Sequence, residues 1–269
     1  MCGFVGLYLN NNYNIEVRKL VSILNNMTNT LSHRGPDHKD IYINEKEKLA
    51  FGFQRLSIID LKSSANQPMI SKNKDWVIIF NGEIYNYKKL KEKLKRKKNY
   101  WRSNSDSEVA LECVSKYGFY KAIKKLNGMF AIAAYCISKK TLWLARDRFG
   151  EKPLYYNYDR TYGFTFASEL RAFSYFPNFK KQICQNALAQ YLRYGYVPEP
   201  LSIFKKTYKL EPGYIIKFDK KNQILKKDYW DSIKSFISAK KNKFKGTFED
   251  AKETVKRHIY NFIKNRLFS

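Results

Sequence analysis

The second residue, Cys2, offers the most reactive chemistry in the sequence. Cys is small enough for the initiator Met1 to be trimmed, which would leave Cys2 with both a thiol and a free α-amine. An α-amine titrates near ~7.7–8.0 and a thiol near ~8.5, so the amine is partly neutral at physiological pH and can accept the thiol proton. One residue then supplies a nucleophile and its general base. The alternative is a small buried apolar residue.

Asn81 and Gly82 are the next candidate catalytic pair, because they follow a buried strand predicted at residues 76–80. The side-chain amide of Asn and the backbone N–H of Gly can both donate to a developing oxyanion. One such donor is typically worth about 10²–10³ in rate. The alternative is a hairpin turn at the end of the strand, for which Asn-Gly is a common sequence.

Arg55 could bind a substrate at such a site, whereas Asp106 and His33 have structural interpretations from the sequence. Arg55 suits a carboxylate, since its guanidinium fork can bind both oxygens. Asp106 begins a predicted helix, where an acidic residue ordinarily acts as a cap. His33 lies in a Gly-Pro loop, residues 32–37, which we interpret as structural and as shaping the wall beside the nucleophile. The general base is assigned to the Cys2 amine instead of His33.

Short strands and amphipathic helices must position these residues, as the spacing of apolar residues indicates. Helices between hairpin-like strand pairs favour an α+β protein with largely antiparallel sheets. Strands are predicted at residues 3–9, 50–53, 56–60, 76–80, 129–137, 142–145, 163–167 and 214–218. Helices are predicted at residues 16–31, 87–97, 106–117, 188–194 and from 247 onwards.

The formal net charge of +27 over 269 residues comes mainly from lysines spread along the whole chain. We attribute it to a composition rich in Lys, Asn, Ile, Tyr and Phe, whose codons are A/T-rich, and predict no nucleic-acid or membrane partner. The densest lysine cluster, residues 88–98, places Leu90 and Leu94 four residues apart, which is typical of a solvated helix face. A non-catalytic polyanion-binding module is the alternative, and a salt-titrated binding assay would test it.

Several other classes of protein are disfavoured by the sequence. No apolar run approaches the roughly 20 residues of a membrane helix, and the N-terminus lacks the basic and apolar regions of a signal peptide. Cys2, Cys113, Cys136 and Cys184 show neither metal-type spacing nor a disulfide framework. We therefore predict no metal site and a reducing, cytoplasmic location.

An ordered series of segments runs through the chain. The segments are Met1-Cys2-Gly3, His33-Arg34-Gly35-Pro36-Asp37, Arg55-Leu56-Ser57-Ile58-Ile59-Asp60, Asn81-Gly82-Glu83-Ile84-Tyr85-Asn86, Ser105-Asp106, Gly128-Met129-Phe130-Ala131 and Arg146-Asp147-Arg148-Phe149-Gly150. Together they resemble the glutamine amidotransferase domain of glutamine-dependent asparagine synthetases, the class with an N-terminal nucleophile. The resemblance implies the N-terminal-nucleophile hydrolase fold, with four αββα layers in which two antiparallel sheets lie between helices.

The resemblance also implies a site that hydrolyses L-glutamine to glutamate and ammonia. Cys2 would form a thioester with the substrate, while Asn81 and Gly82 would hold the oxyanion. Arg55 would bind the α-carboxylate of glutamine, and its α-ammonium would face Asp106. The other residues implied to line the glutamine pocket are Leu56, Ser57, Ile58, Ile59 and Glu83. The cluster at residues 146–148 is interpreted as buried ion pairs that support the domain.

Three segments are predicted along the chain: an amidotransferase domain at 2–219, a lysine-rich linker at 220–246 and the first helix of an ATP-dependent synthetase domain at 247–269. The Ser-Gly-Gly-x-Asp-Ser loop that holds the pyrophosphate of ATP in that domain does not occur in the sequence. We therefore expect a truncated chain, or a synthetase subunit that acts in trans. ATP and Mg²⁺ are implied for the synthetase domain, and no cofactor is implied for this chain. The resemblance also allows a homodimer.

The implied function is the glutaminase half of an asparagine synthetase, whose ammonia would amidate ATP-activated aspartate. An asparagine-synthetase-like amidotransferase of cell-wall or capsule biosynthesis would share this N-terminal half, and the sequence does not separate the two. Amidotransferases of purine or amino-sugar synthesis are disfavoured, because they lack the Arg-Gly-Pro-Asp and Asn-Gly-Glu-Ile-Tyr-Asn segments.

Overall fold

Two antiparallel sheets form the centre of the protein in the computed structural model, which describes residues 1–219, 221 and 223–267. Within these residues each sheet has six strands. The first sheet contains, in order across it, β10 (Thr207–Lys209), β8 (Tyr155–Asp159), β9 (Gly163–Ala167), β1 (Gly3–Leu9), β3 (Leu49–Arg55) and β2 (His38–Asn44). The second contains β12 (Ile224–Asp228), β11 (Tyr214–Asp219), β7 (Thr141–Arg146), β6 (Gly128–Cys136), β5 (Trp76–Ile84) and β4 (Met69–Ile70).

Helices cover the outer faces of both sheets, which gives the layer order αββα. The helices are α1 (Val17–Asn29), α2 (Tyr87–Leu94), α3 (Asp106–Tyr117), α4 (Phe119–Lys125), α5 (Leu170–Phe173), α6 (Gln185–Tyr194), α7 (Ser232–Lys241) and α8 (Phe248–Leu267). α1 and α5 pack on the first sheet, and α2, α3 and α4 pack on the second. This arrangement confirms the predicted α+β fold. Among the described helices, none has the length and apolar character needed to cross a membrane.

The central strands are buried on both faces, which explains why β1 and β5 read as continuous apolar runs. In β1, Phe4 points between the sheets and Val5 points towards α1. In β5, Ile79 points between the sheets and Phe80 points towards α3. Because side chains alternate along a strand, Asn81 also points between the sheets, towards the start of β1.

The strand predicted at residues 56–60 is wrong, since these residues form a loop. The first two backbone N–H groups of this loop donate to side chains and not to a neighbouring strand. The N–H of Leu56 donates to Cys2 Sγ at 3.3 Å, and the N–H of Ser57 donates to Asp37 Oδ2 at 2.7 Å.

The prediction that Asn81 and Gly82 end a strand is also wrong. β5 continues to Ile84 and pairs with β6 along this whole stretch, with Asn81 opposite Ala131 and Gly82 opposite Phe130. This pairing excludes the alternative of a hairpin turn at Asn81-Gly82.

The stretch predicted as a linker contains regular structure. β12 pairs with β11 and extends the second sheet beyond residue 219. α7 forms in the lysine-rich part, where Asp231 caps the helix by accepting the N–H of Lys234 at 2.9 Å. Lysine favours helices, and residues 232–241 contain neither Gly nor Pro. Residues 220 and 222 lie outside the described part of the chain.

The predicted start of the last helix is confirmed. Thr247 Oγ1 accepts the N–H of Asp250 at 3.2 Å, and Asp250 Oδ2 accepts the N–H of Thr247 at 2.9 Å. This reciprocal pair caps α8 at its N-terminus. The predicted end of this helix falls on residues 268–269, which lie outside the described residues.

The lysine-rich helix α2 has the predicted solvated face. Leu90 and Leu94 are buried against the second sheet, whereas the lysines at positions 88, 89, 91 and 93 are exposed or partly exposed. The helix ends earlier than predicted, because Lys95 adopts a left-handed conformation with φ of 51°.

Candidate active site

A cavity of about 180 Å³ opens where the layer between the two sheets ends, and it gathers nearly all the predicted site residues. Those that line it are Cys2, Arg55, Leu56, Ile58, Ile59, Asn81, Gly82, Glu83 and Asp106. Ser57 is the exception: it is not among the lining residues, and its backbone N–H is bound to Asp37.

Cys2 lines this cavity and packs partly against the core between the sheets. Its Sγ accepts the N–H of Leu56 at 3.3 Å. Burial raises the pKa of the Cys2 thiol, although the Leu56 N–H and the positive charges of the chain N-terminus and Arg55 act in the opposite direction. The thiol therefore does not ionise by itself near neutral pH, and a neighbouring base is needed to remove its proton.

The backbone of Cys2 is held by the predicted loop at residues 32–37. Arg34 Nε donates to the carbonyl oxygen of Cys2 at 3.0 Å, and Arg34 Nη1 donates to Glu169 Oε1 at 2.8 Å. His33 Nε2 lies 3.1 Å from the same carboxylate oxygen, and its side chain is 58% exposed. The contacts agree with a structural role for this loop and with the exclusion of His33 as the general base.

One edge of β5 faces the cavity with its backbone. The N–H and C=O of Phe80 are bound by the side chain of Gln67, at 2.6 Å and 3.2 Å respectively. Four residues further along the same strand, the N–H of Ile84 donates to Asp106 Oδ2 at 2.8 Å. Backbone groups of alternate residues in a strand point to the same edge, so the N–H of Gly82 points to this edge as well.

Asn81 places a second donor at the same cavity. It is 1% exposed, and within the described residues its Nδ2 has no hydrogen-bond partner. A buried donor without a partner costs about 1–3 kcal/mol, which indicates a place where a ligand oxygen is expected. Gly82 is required beside it, because a Cβ there would lie 2.1 Å from the carbonyl oxygen of Met129.

Arg55 is buried and already binds part of the protein. Its Nη1 donates to the carbonyl oxygen of Lys62 at 3.0 Å and to Asn66 Oδ1 at 2.5 Å, and its Nη2 donates to the carbonyl oxygen of Asp60. These contacts use three of the five guanidinium N–H groups. Arg55 thus fixes the loop that closes one side of the cavity and still has donors for a carboxylate.

Asp106 combines a structural contact with an unusual titration. Burial raises the pKa of its carboxyl to about 7, and the charge of Glu83 acts in the same direction, while the N–H of Ile84 opposes it. A cation that enters the cavity would favour the ionised form. Ser105, and not Asp106, is the N-cap of α3, since Ser105 Oγ accepts the N–H of Ser107.

The segment at residues 146–148 supports the domain largely through hydrogen bonds to backbone groups, rather than through the predicted cluster of buried ion pairs. Asp147 is completely buried, and its carboxylate accepts the N–H groups of Phe130 at 3.2 Å and Lys152 at 3.1 Å. Arg146 is paired with Glu199 at 3.1 Å. These contacts tie the loop after β7 to β6.

Several residues that line the cavity were not predicted. They are Met1, Asp60, Ala65, Gln67, Phe80, Ser105, Ser107, Met129 and Lys152. Met1, Asp60, Ser105 and Met129 belong to the segments that carry the resemblance, and this position in the sequence was a usable signal. Gln67 and Lys152 lie outside those segments, and only the folded chain brings them to the cavity.

Comparison with known proteins agrees with this geometry. Residues 1–230 match the family described as "Glutamine amidotransferase domain". The chain belongs to this family. The chain is 36% identical over 250 residues to a putative glutamine-hydrolyzing asparagine synthetase 2 of Methanocaldococcus jannaschii, covering 86% of this chain and 47% of the relative. It is 40% identical over 217 residues to the glutamine-hydrolyzing asparagine synthetase 1 of Bacillus subtilis, covering 79% of this chain and 33% of that protein.

The fold has a solved counterpart in the glutamine phosphoribosylpyrophosphate amidotransferase of B. subtilis, with a TM-score of 0.61 at 17% identity. The match covers 85% of this chain and 49% of that chain. At this identity the likeness concerns the fold, which is the predicted amidotransferase fold. The amidotransferase domain spans half or less of the length of the curated relatives described above.

Proposed function

We propose that this domain hydrolyses the side-chain amide of L-glutamine to glutamate and ammonia through a γ-glutamyl thioester on Cys2. The observation that carries the proposal is the buried Nδ2 of Asn81, which has no hydrogen-bond partner among the described residues and lies beside Gly82 in the cavity that Cys2 also lines. Two donors next to a nucleophile are what acyl transfer through a tetrahedral intermediate requires.

The reaction begins when the free α-amine of Cys2 takes the proton of the thiol. Sγ then attacks the amide carbon of glutamine, and the oxygen that becomes negative accepts hydrogen bonds from Asn81 Nδ2 and the Gly82 N–H. The protonated amine gives its proton to the leaving nitrogen, the C–N bond breaks, and ammonia leaves behind a thioester. A water molecule, deprotonated by the same amine, hydrolyses the thioester and restores the thiol.

Charged groups at the other end of the cavity would hold the amino-acid portion of glutamine. The N–H groups of Arg55 that do not bind the protein are suited to the α-carboxylate. Asp106 and Glu83 are suited to the α-ammonium, which would stabilise the ionised form of the Asp106 carboxyl.

The acceptor of the ammonia is proposed from the relatives. Those compared above are named asparagine synthetases, which supports ATP-activated aspartate as the acceptor in a synthetase half of the protein or in a partner subunit. ATP and Mg²⁺ belong to that half of the proposal. A cytoplasmic location, which the cysteine spacing and the N-terminal sequence favour, and a homodimer are also part of it.

A glutaminase assay on the full 269-residue chain tests the proposal. We expect ammonia and glutamate in equal amounts from the wild type and loss of both in Cys2→Ala. Cys184→Ala is the matched control, because Cys184 is also partly exposed but does not line the cavity. Wild-type activity in Cys2→Ala, with correct folding, would overturn the proposed mechanism. Intact-mass measurement should show that Met1 is absent, since the mechanism needs the Cys2 amine to be free.

A further inference from the structure

Lys152 lines the active-site cavity but has no part in the proposed glutamine contacts. Its side chain is buried, with the residue only 6% exposed, and its Nζ lies 3.2 Å from Met1 Sδ. Met1 is bonded to the nitrogen of Cys2, which becomes the α-amine once Met1 is removed. The Lys152 ammonium therefore lies near the group that the mechanism uses as its base.

The distance between the two nitrogens can be bounded by covalent geometry. Five bonds join the Cys2 nitrogen to Met1 Sδ, so these atoms are at most about 6.5 Å apart. With the 3.2 Å contact added, Lys152 Nζ lies within about 10 Å of the Cys2 nitrogen.

The backbone of Lys152 is fixed in this position. Its N–H donates to Asp147 Oδ2 at 3.1 Å, and its carbonyl oxygen accepts Arg146 Nε at 2.8 Å. Since both partners are buried, the lysine is presented to the cavity by a rigid loop.

The charged groups around Lys152 come from three elements. Glu83 faces it from β5, Arg34 from the loop at residues 32–37, and Asp147 and Glu151 from its own loop. Burial lowers the pKa of the Lys152 ammonium, and Arg34 acts in the same direction, while the three carboxylates oppose this. The carboxylates thus help to keep a buried lysine charged.

We propose that Lys152 is a positioning residue for the general base: its positive charge disfavours protonation of the Cys2 α-amine, so that the amine is neutral when glutamine binds. At the upper limit of about 10 Å and an effective dielectric constant of about 20, the Lys152 charge alone shifts the titration by about one pH unit. Arg34, Arg55 and Asp106 also face Cys2, and they are the same in the wild type and in every Lys152 variant. This inference rests on the proposed function, because only an N-terminal nucleophile needs a neutral amine.

The experiment measures the titration of the Cys2 amine directly on the full chain without Met1. The amine is labelled with isotopic acetic anhydride at a series of pH values, and the N-terminal peptide is quantified by mass spectrometry. In Lys152→Met, which keeps the length but not the charge, we expect the midpoint to rise by about one pH unit. In Lys152→Arg, which keeps the charge, we expect the wild-type midpoint.

The pH profile of kcat/KM for glutamine gives a second readout. We expect its acidic limb to move to higher pH in Lys152→Met, by the same amount as the labelling midpoint. The value of kcat/KM at the high-pH plateau should change little. Lys152→Arg should restore the wild-type limb. A residue that only supports the fold would lower the plateau and leave the limb in place.

An unchanged labelling midpoint in Lys152→Met would overturn the inference. The inference would also be overturned if Lys152→Arg and Lys152→Met had the same midpoint. The positive charge, which only Lys152→Arg keeps, would then have no effect on the titration of the Cys2 amine. If Lys152→Met does not fold, Lys152→Gln provides the same test with a smaller side chain. Labelling does not require glutaminase turnover, so the two proposals can fail separately. A shifted midpoint in a chain without glutaminase activity would contradict the proposed function but would still show the electrostatic effect of Lys152.

Discussion

At the scale of single residues, the proposed mechanism distinguishes groups that act on the transition state from groups that hold the substrate. Asn81 Nδ2 is buried and has no hydrogen-bond partner in the described part of the chain, so it can form its hydrogen bond when an oxyanion forms. The guanidinium of Arg55 and the carboxyl of Asp106 are groups that glutamine would meet already in its ground state. The two kinds of group should therefore differ in which kinetic constant they change.

Replacing Asn81 by Ala should lower kcat about 10²–10³-fold and change KM much less. Arg55→Ala should instead raise KM strongly, because it removes a ground-state contact. Steady-state glutaminase kinetics of both variants measure the difference. If the two substitutions change KM equally and leave kcat alone, the division of roles is wrong.

The raised pKa of Asp106, about 7 against an ordinary 3.8, predicts a pH-dependent effect of Asp106→Asn. The Asp106 carboxyl of the folded wild type retains its proton between about pH 4 and pH 7, where an ordinary carboxyl is ionised. Its contribution to the free energy of unfolding is therefore complete below pH 4 and is lost as the pH rises to 7, at roughly 1.4 kcal/mol per pH unit. Asn keeps an acceptor for the Ile84 N–H but cannot titrate. The variant should thus gain free energy of unfolding relative to the wild type as pH rises through this window, while its KM for glutamine increases.

Denaturant unfolding at pH 4, 5, 6 and 7 checks this prediction. The exposed Asp40, which lies outside the cavity, provides a control through Asp40→Asn. Parallel stability curves for Asp106→Asn and the wild type would mean that the carboxyl is ionised in the folded protein throughout this range.

At the scale of secondary structure, the edge of β5 is the element that assembles the site. β4 covers this edge only at Val77 and Ile78, and side chains take over from there: Gln67 binds Phe80, and Asp106 binds Ile84. The gap between these two contacts leaves the Gly82 N–H facing the cavity. A continuous neighbouring strand would have used this donor.

Gln67→Ala should therefore loosen the edge of β5. We expect a loss of about 1–3 kcal/mol in the free energy of unfolding, because the buried N–H and C=O of Phe80 lose their partner. A decrease in kcat larger than the change in KM should accompany it, since the adjacent oxyanion donors are held less firmly. The control is Gln185→Ala at the exposed start of α6, which should change neither quantity. Equal behaviour of the two variants would show that the Gln67 contact does not support the site.

At the scale of the whole molecule, the described fold contains the cavity of the proposed glutaminase site, and the sequence contains no Ser-Gly-Gly-x-Asp-Ser segment. These 269 residues should release ammonia from glutamine but form no asparagine when aspartate and Mg-ATP are supplied, because nothing in their sequence is built to hold the pyrophosphate of ATP. Following ammonia, AMP and asparagine in one reaction checks this. Equal amounts of AMP and asparagine from the purified chain would contradict the division of function between the two halves.

The sequence by itself determined the candidate chemistry and most of the elements. Cys2, Asn81 and Arg55 carry the functional groups that a nucleophile, an oxyanion donor and a carboxylate ligand need, and the ordered segments of the resemblance favoured these roles over the structural alternatives. Strands such as Gly3–Leu9 and helices such as Asp106–Tyr117 have the predicted bounds, since the local spacing of apolar residues fixes which segments can bury a face.

Only the tertiary structure decided how the site is closed and tuned. Gln67 reaches Phe80 across 13 positions and Lys152 reaches Met1 across 151, and no local pattern encodes either contact. The loop at residues 56–60 looked like a strand because its residues are apolar, but its backbone groups are bound by the side chains of Cys2, Asp37 and Arg55. Local propensity determines what a segment can form, whereas long-range packing determines which of its hydrogen-bonding groups remain free for a substrate.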